Sequence, residues 1–246
     1  MSGFDDPEFF GERWADVYAE GPAPDGPDPG PAVEFLAGLP GRGRVLELAI
    51  GTGRVGLPLA ARGITVEGVE ASEQMVARMR AKPGGEQIPV SIGDMADVPA
   101  KGPFRLVYLV FNTLFNLPSQ DRQVACFRNV ARVLDAGGAF VLECFVPDPA
   151  RFDRGQRVEA LAVTEDSATI EVFSHDAAAQ RYRTQKITFS SQGIRMLPVA
   201  LRYCWPSELD LMAGQAGLRL AERYAGWDRR PFGSDAVAHV SVYRPR

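Results

Sequence analysis

The chain has 246 residues, with 27 Lys and Arg against 31 Asp and Glu, and 46% of its residues are hydrophobic. This length and composition predict one large globular domain, or one domain with a substantial insertion, and exclude a disordered chain or a miniature disulfide scaffold. A formal net charge of −4 provides no broad basic field, so we expect a small-molecule partner and no nucleic acid.

The sequence contains neither an apolar run long enough to span a membrane nor the basic and apolar pattern of a signal peptide. Cys126, Cys144 and Cys204 lie in apolar surroundings without the spacing of metal ligands. We therefore expect reduced core thiols, no metal, no membrane association and a cytoplasmic location.

An aromatic helix is predicted at the N-terminus, in residues 5–20. Residues 21–31 follow it with eight Gly or Pro in eleven positions, which is typical of a linker. We interpret residues 1–30 as a mobile lid helix and its linker. The residues at helical spacing are Phe9, Phe10, Arg13, Trp14, Val17 and Tyr18.

Residues 31–150 alternate between strand and helix patterns, which predicts an α/β fold with a doubly wound, Rossmann-like parallel sheet. The helix pattern that starts at Ser119 is expected to end at the Gly137-Gly138 pair as a C-cap. Strands are predicted at residues 44–49, 64–70, 88–93, 104–111 and 139–146.

Residues 151–205 change to strand-like alternation in four segments separated by polar turns, which predicts an antiparallel β insertion. We expect this insertion to supply an acceptor surface or an interface for homo-oligomers. Residues 206–246 are predicted to complete the core with one helix and two strands.

The loop after the first predicted strand runs from Glu47 to Gly53 and includes Ala49 and Gly51, with Arg54 directly after it. Its glycines match the GxGxxG pattern of dinucleotide-binding proteins, but a carboxylate at Glu47 would repel a pyrophosphate. That carboxylate suits the cationic amino-acid tail of S-adenosylmethionine, whose own carboxylate can meet backbone donors at a helix N-terminus. A tight turn whose glycines only pack is the alternative.

Further acidic residues follow the next two strands. Glu70 can accept both hydroxyl groups of a ribose, with Ala71 and Met75 bordering an adenine, although Met75 also fits a core position. Asp94 can accept from the adenine amine while Met95 covers a ring face; alternatively, Asp94 caps a helix.

These motifs in order, VLELAIGTG, GVEAS, GDM and FRLVYLVFNTLFNL, resemble class I S-adenosylmethionine-dependent methyltransferases. The similarity is to bacterial small-molecule types, including amino-sugar and lincosamide N-methyltransferases of antibiotic pathways. It implies a seven-stranded sheet, S-adenosylmethionine as cofactor and S-adenosylhomocysteine as product. In such N-methyltransferases a tyrosine often occupies the lid position where this chain has Phe10.

The segment after the fourth strand is expected to face the methyl group, because open α/β sheets bind ligands at the carboxyl ends of their strands. Phe111 and Asn112 are predicted to contact the cofactor, as are Trp14 and Tyr18 from the lid. The predicted catalytic residues are Phe10, Tyr18, Phe115 and Asn116.

An amine nitrogen is the favoured acceptor, because an aromatic-lined, dry pocket keeps an amine neutral and the two histidines lie in structural contexts. An O- or C-methyltransferase is the alternative. Two further alternatives are less favoured: an NAD-dependent oxidoreductase, and a protein that binds S-adenosylmethionine without catalysing methyl transfer. Thr113 and Asn116 can also serve as turn or cap residues.

Overall fold

The computed structural model describes residues 6, 8–19 and 27–246, but not the side chains of residues 15, 16, 18 and 19. Most of the predicted linker therefore lies outside the described residues. Gly30 and Pro31, which the sequence pattern places in the linker, instead begin a helix. Proline is tolerated there because the first helical turn does not use its backbone N–H groups.

The main sheet has seven strands in the order β10-β11-β5-β4-β1-β2-β3. Strands β1 to β5 are parallel, while β11 pairs antiparallel with both β5 and β10. The α/β prediction is confirmed. The strands are β1 Val45–Leu48, β2 Val66–Glu70, β3 Val90–Ile92, β4 Phe104–Leu109, β5 Leu134–Phe145, β10 Leu218–Tyr224 and β11 Ala238–Pro245.

Helices cover both faces of this sheet, because each face is apolar. One buried cluster includes Phe127 and Leu209, and the other includes Phe35 and Leu59. This is the doubly wound arrangement that the alternating pattern predicts. The helices are α1 Phe9–Ala19, α2 Gly30–Ala37, α3 Gly56–Ala61, α4 Glu73–Arg80, α5 Gln120–Val133 and α6 Pro206–Gln215.

The predicted end of α5 is wrong. The helix ends at Val133, and the Gly137-Gly138 pair belongs to β5. A Cβ atom at Gly138 would lie 3.0 Å from the carbonyl oxygen of Phe104, beside an irregularity in the β4–β5 register. The glycine therefore permits a close approach between strands, and this pairing outweighs the local cap signal.

The predicted insertion is a four-stranded antiparallel sheet in the order β6-β7-β8-β9. Phe173 and Tyr182 are buried on its inner face, and Tyr182 stacks on Phe145 of the main sheet. This aromatic contact fixes the insertion beside the carboxyl end of β5. The strands are β6 Gln156–Val163, β7 Ser167–Asp176, β8 Arg181–Ser190 and β9 Gly193–Arg202.

The three cysteines are buried and unpaired, as predicted for core thiols. None of the helices in the described ranges has the length and apolar character needed to cross a membrane.

Candidate active site

A cavity of about 400 Å³ lies where the loops after β1, β2, β3 and β4 meet. Helix α1 and strand β9 form its other wall, where the indole nitrogen of Trp14 donates to the carbonyl oxygen of Pro198 at 3.1 Å. Its lining includes these predicted site residues: Phe10, Glu47, Ala49, Gly51, Arg54, Glu70, Ala71, Met75, Asp94, Met95, Phe111, Asn112 and Asn116.

Three other predicted site residues do not line the cavity. A Cβ atom at Gly53 would lie 2.8 Å from side-chain atoms of Leu57 and Met79, so this glycine faces the interior. Phe115 is fully buried, and its ring packs edge to face on Phe145, with the centroids 4.9 Å apart. Trp14 stands behind Phe10, on which its ring stacks.

Tyr18 lies in α1, but its side chain is outside the described part of the chain. Its predicted roles in cofactor binding and catalysis therefore stay predictions.

The loop after β1 presents backbone to the cavity. Ala49 and Gly51 have left-handed φ values of +52° and +56°. A Cβ atom at Gly51 would meet nothing closer than the carbonyl oxygen of Ala49, at 3.9 Å. Because Gly51 lines the cavity, a ligand can approach the main chain there without meeting a side chain.

Glu47, the next-to-last residue of β1, is a buried carboxyl group whose Oε2 accepts a hydrogen bond of 2.8 Å from the hydroxyl of Tyr108. Burial raises the pKa of Glu47 to about 8, although the bond from Tyr108 opposes this shift. A cationic ligand group nearby would stabilise the ionised form, since opposite charges favour ionisation.

Glu70 ends β2 with both carboxylate oxygens already engaged by backbone donors. Oε2 accepts from the N–H of Gly51 at 2.8 Å and Oε1 from the N–H of Ser72 at 3.0 Å. These bonds tie the β1 loop to the start of α4 and orient the carboxylate. Each oxygen retains a lone pair for a ligand hydroxyl, because a carboxylate accepts about four hydrogen bonds.

Asp94 follows β3 and is held from two sides. Oδ1 accepts from the N–H of Ala96 at 2.7 Å within a turn of residues 95–97, and no helix begins there, so the alternative that Asp94 caps a helix is wrong. Oδ2 accepts from Nη2 of Arg122 at 2.6 Å, and Arg122 also pairs with Asp97. Sequence reasoning missed Arg122, which lines the cavity from α5.

The segment after β4 continues into a short 3₁₀ turn, Thr113–Asn116. Thr113 and Asn116 line the cavity, while Leu114 and Phe115 point into the core. The turn therefore divides this segment between a polar cavity wall and the hydrophobic core.

The lid helix lies against α4 and β9. Gly11 is buried, and a Cβ atom there would lie 2.3 Å from Cβ of Ser72, so only glycine permits this contact. Phe9 and Phe10 line the cavity from this helix. The basic and aromatic groups of the insertion and the Trp227 loop do not line it; β9 contributes Pro198, Val199, Ala200 and Leu201 instead.

Both histidines lie in structural positions, as predicted. Nε2 of His175 is 3.2 Å from the hydroxyl of Tyr203, and its ring stacks on Phe152. His239 is fully buried, with Nδ1 2.9 Å from the hydroxyl of Ser241. Burial lowers the pKa of His239 to about 4, which keeps its imidazole neutral.

These residues fit S-adenosylmethionine. The open face at Gly51 admits a ligand beside the backbone, and Glu47, Glu70 and Asp94 lie at or just beyond the carboxyl ends of three neighbouring strands. The described cavity wall has more carboxylates than guanidinium groups, and Arg122 is already paired with Asp94. This balance favours a cationic ligand over a pyrophosphate.

Comparisons with known proteins agree with this geometry. A family model described as a methyltransferase domain matches residues 45–138. Cypemycin N-terminal methyltransferase from a Streptomyces species is 31% identical over 180 residues, which are 72% of this chain and 72% of that protein.

Two solved structures extend the comparison. The CcbJ methyltransferase from Streptomyces caelestis is 40% identical with a TM-score of 0.89, covering 96% of this chain and 97% of that one. The sugar N-methyltransferase KedS8 from a Streptoalloteichus species has the same fold, with a TM-score of 0.65 at 20% identity, covering 94% of this chain and 92% of that one.

The chain belongs to the family of S-adenosylmethionine-dependent methyltransferases, and S-adenosylmethionine is its cofactor. The resemblance found in the sequence is thereby confirmed.

Proposed function

We propose that this chain methylates an amine nitrogen of a small-molecule secondary metabolite. The observation that carries the proposal is the cavity wall near the Thr113–Asn116 turn. It combines apolar side chains such as Phe10, Phe111 and Leu201 with the uncharged polar Asn112 and Asn116, and neither histidine lines it. Such a wall can orient a neutral amine without a dedicated base.

The acidic residues at the carboxyl ends of β1, β2 and β3 would hold the cofactor. Glu70 would accept from the ribose hydroxyls, Asp94 from the adenine amine with Met95 against the ring, and Glu47 would face the cationic amino-acid tail. The cofactor supplies a methyl group on a positively charged sulfur, which is activated for displacement by a nucleophile.

The chain's own contribution is then alignment and exclusion of water. Holding two reactants in line can lower a barrier by about 7–11 kcal/mol. A desolvated cavity also lowers the pKa of an amine, so more of it carries a free lone pair. Among the predicted catalytic residues, we propose that Phe10 and Asn116, which line the cavity, contact the acceptor, and that Phe115, which is buried, acts only through packing.

The relatives support the class of acceptor. One relative is named as a methyltransferase that acts at an N-terminus, that of cypemycin. A structural neighbour is named as a sugar N-methyltransferase. We infer the same class of chemistry here, with the acceptor bound between the post-β4 turn, α1 and β9.

The test uses matched pairs of small molecules that share a skeleton and differ only in carrying an amine, an alcohol or a phenol. Release of S-adenosylhomocysteine is measured, and mass spectrometry locates the added methyl group. We expect turnover with amines and a methyl group on nitrogen. Faster turnover of the matched phenol would contradict the proposal, and cofactor binding without turnover of any compound would indicate an idle binding protein.

We also propose that the insertion joins two copies of this chain. Val158, Val163, Ile194 and Met196 are 65%, 77%, 67% and 57% exposed, although they lie on regular strands. Within the described part of the chain, β6 is moreover an edge strand of its sheet, which a second copy can pair in a two-fold arrangement. Light scattering on the wild type should give the mass of a dimer. The double variant Val158→Lys, Ile194→Lys should give the mass of a monomer. A monomeric wild type would contradict the proposal.

We further propose the division into residues 1–30, 31–150, 151–205 and 206–246 as lid, cofactor core, insertion and completing segment. The cytoplasmic location stays a prediction.

A further inference from the structure

Two consecutive residues at the carboxyl end of β4 have a strained backbone. Phe111 and Asn112 have φ values of +57° and +63°, in the left-handed region that L side chains disfavour. Asparagine tolerates this region, but a bulky aromatic residue rarely adopts it. Both residues line the cavity. Strain of this kind persists only where the surrounding structure enforces it, and it concentrates at functional sites.

Strand β5 enforces this conformation through three hydrogen bonds. Oε2 of Glu143 accepts from the backbone N–H of Phe111 at 2.8 Å. The carbonyl oxygen of Glu143 accepts from the N–H of Asn112 at 3.3 Å. In return, Oδ1 of Asn112 accepts from the N–H of Phe145 at 2.6 Å. Of these three hydrogen bonds, the one from Phe111 is accepted by a side chain of β5, while the other two use the backbone of β5.

The second oxygen of Glu143 is fixed as well. Oε1 accepts from the indole nitrogen of Trp227 at 3.0 Å. The Trp227 ring packs edge to face on Phe35 of α2, with centroids 5.4 Å apart. The carboxylate thus connects a rigid aromatic pair to the backbone of the post-β4 segment, although Glu143 itself does not line the cavity.

The ring of Phe111 is held from the cavity side. The guanidinium carbon of Arg54 lies 4.4 Å from its centroid, a cation–π contact. If the backbone of Phe111 relaxed out of the left-handed region, the direction of this ring and of the following Asn112 side chain would change. Two groups of the cavity wall therefore depend on the bond from Phe111 to Glu143.

We propose that Glu143 is a positioning residue for methyl transfer, which holds Phe111 and Asn112 in the conformation that shapes the acceptor side of the cavity. This inference rests on the proposed placement of the acceptor at the post-β4 turn. It assigns no contact between Glu143 and either reactant.

The test variant is Glu143→Gln, which keeps the size of the side chain. Its amide group must face either Phe111 or Trp227 with a donor instead of an acceptor, so one of the two bonds is lost. We expect faster hydrogen exchange in residues 110–117 and a fall in kcat of about tenfold to a hundredfold. A small misplacement of positioning groups has effects of this size. Because Phe111 and Asn112 are also predicted cofactor contacts, the affinity for S-adenosylhomocysteine should fall as well, but by a clearly smaller factor than kcat.

Asp210→Asn is the matched control. Asp210 accepts from the hydroxyl of Tyr243 and pairs with Arg223, in a partly buried network that does not line the cavity. This variant should lower Tm while kcat and exchange in residues 110–117 stay at the wild-type values. If Glu143→Gln fails to fold, Trp227→Phe removes the indole donor together with part of the ring and should produce the same changes to a smaller degree.

Unchanged exchange in residues 110–117 together with unchanged kcat would overturn the inference. So would a loss of cofactor affinity equal to the loss of turnover, which indicates general destabilisation. The exchange measurement needs no acceptor, and the kinetic measurement uses whichever compound is turned over. Failure of the amine assignment therefore leaves both results interpretable.

Discussion

The hydroxyl of Tyr108 donates a 2.8 Å hydrogen bond to Oε2 of Glu47 across the neighbouring parallel strands β4 and β1, where the two residues are register partners. Both side chains are buried. The hydrogen bonds from Tyr108 and from the backbone of Gly56 do not compensate for the desolvation of a carboxylate, and the pKa of Glu47 is therefore raised to about 8.

The raised pKa of Glu47 predicts a pH-dependent stability. Between the ordinary glutamate pKa of about 4.3 and about 8, the unfolded chain loses this proton while the folded chain keeps it. Folded protein then binds more protons, so the free energy of unfolding falls as pH rises through this window. Relative to Glu47→Gln, wild type should lose at most about 1.4 kcal/mol per pH unit.

Urea denaturation of both proteins at several pH values measures this difference. Glutamine still accepts the bond from Tyr108, so the variant removes the titration and keeps the contact. Stability curves that run parallel across the window would mean that Glu47 is already ionised in the folded protein.

Replacing Glu70 by alanine should weaken cofactor binding. The variant removes the proposed bonds to ribose and frees the N–H groups of Gly51 and Ser72, which shape the loop. Each bond to a charged acceptor contributes about 1.5–3 kcal/mol, so the affinity for S-adenosylhomocysteine should fall at least about tenfold in calorimetry. Glu67→Ala is the control, because Glu67 lies on the same strand and pairs with Arg44. Equal affinities for both variants would remove Glu70 from the cofactor site.

Gly51→Val should abolish cofactor binding in a folded protein, because the new side chain would occupy the open space where the ligand meets the backbone. Its left-handed φ adds a stability cost of roughly 1–2 kcal/mol. Gly41→Val provides a matched control, since Gly41 has the same φ of +56° and open surroundings but does not line the cavity. Both variants should lose similar stability in thermal denaturation, and only Gly51→Val should lose affinity. Normal binding by Gly51→Val would support a turn whose glycines only pack.

Helix α1 is expected to act as a closing lid. Deleting residues 1–20 should leave the sheet folded, weaken cofactor binding moderately and remove nearly all methyl transfer, because water would then enter the cavity. Trp14→Phe should give a milder form of this defect, since it removes the bond to Pro198 and keeps the stacked ring. Trp205→Phe is the control, at an exposed tryptophan outside the cavity wall.

Hydrogen exchange reports on the lid directly, and α1 should become protected only when cofactor is added. Complete protection in the free protein would mean a fixed core helix.

Tyr18→Phe should lower turnover more than it lowers cofactor affinity, if the Tyr18 hydroxyl meets the acceptor.

The sequence by itself determined the order of strands and helices, the glycine loop and the acids Glu47, Glu70 and Asp94 at the strand ends. These features are local, because they depend on side-chain periodicity and on which residue follows a strand. Since the carboxyl ends of parallel strands meet at one edge, a local pattern also predicted that these acids share one cavity.

Only the tertiary structure decided which way individual side chains face and which distant residues meet. The 3₁₀ turn after β4 directs Asn116 to the cavity and Phe115 to the core, although the sequence predicts a catalytic role for both. Arg122 reaches Asp94 from 28 residues away, and Glu143 holds Phe111 from 32 residues away. Such contacts depend on how helices and strands pack in space. The periodicity of residues along the chain does not show which distant elements become neighbours.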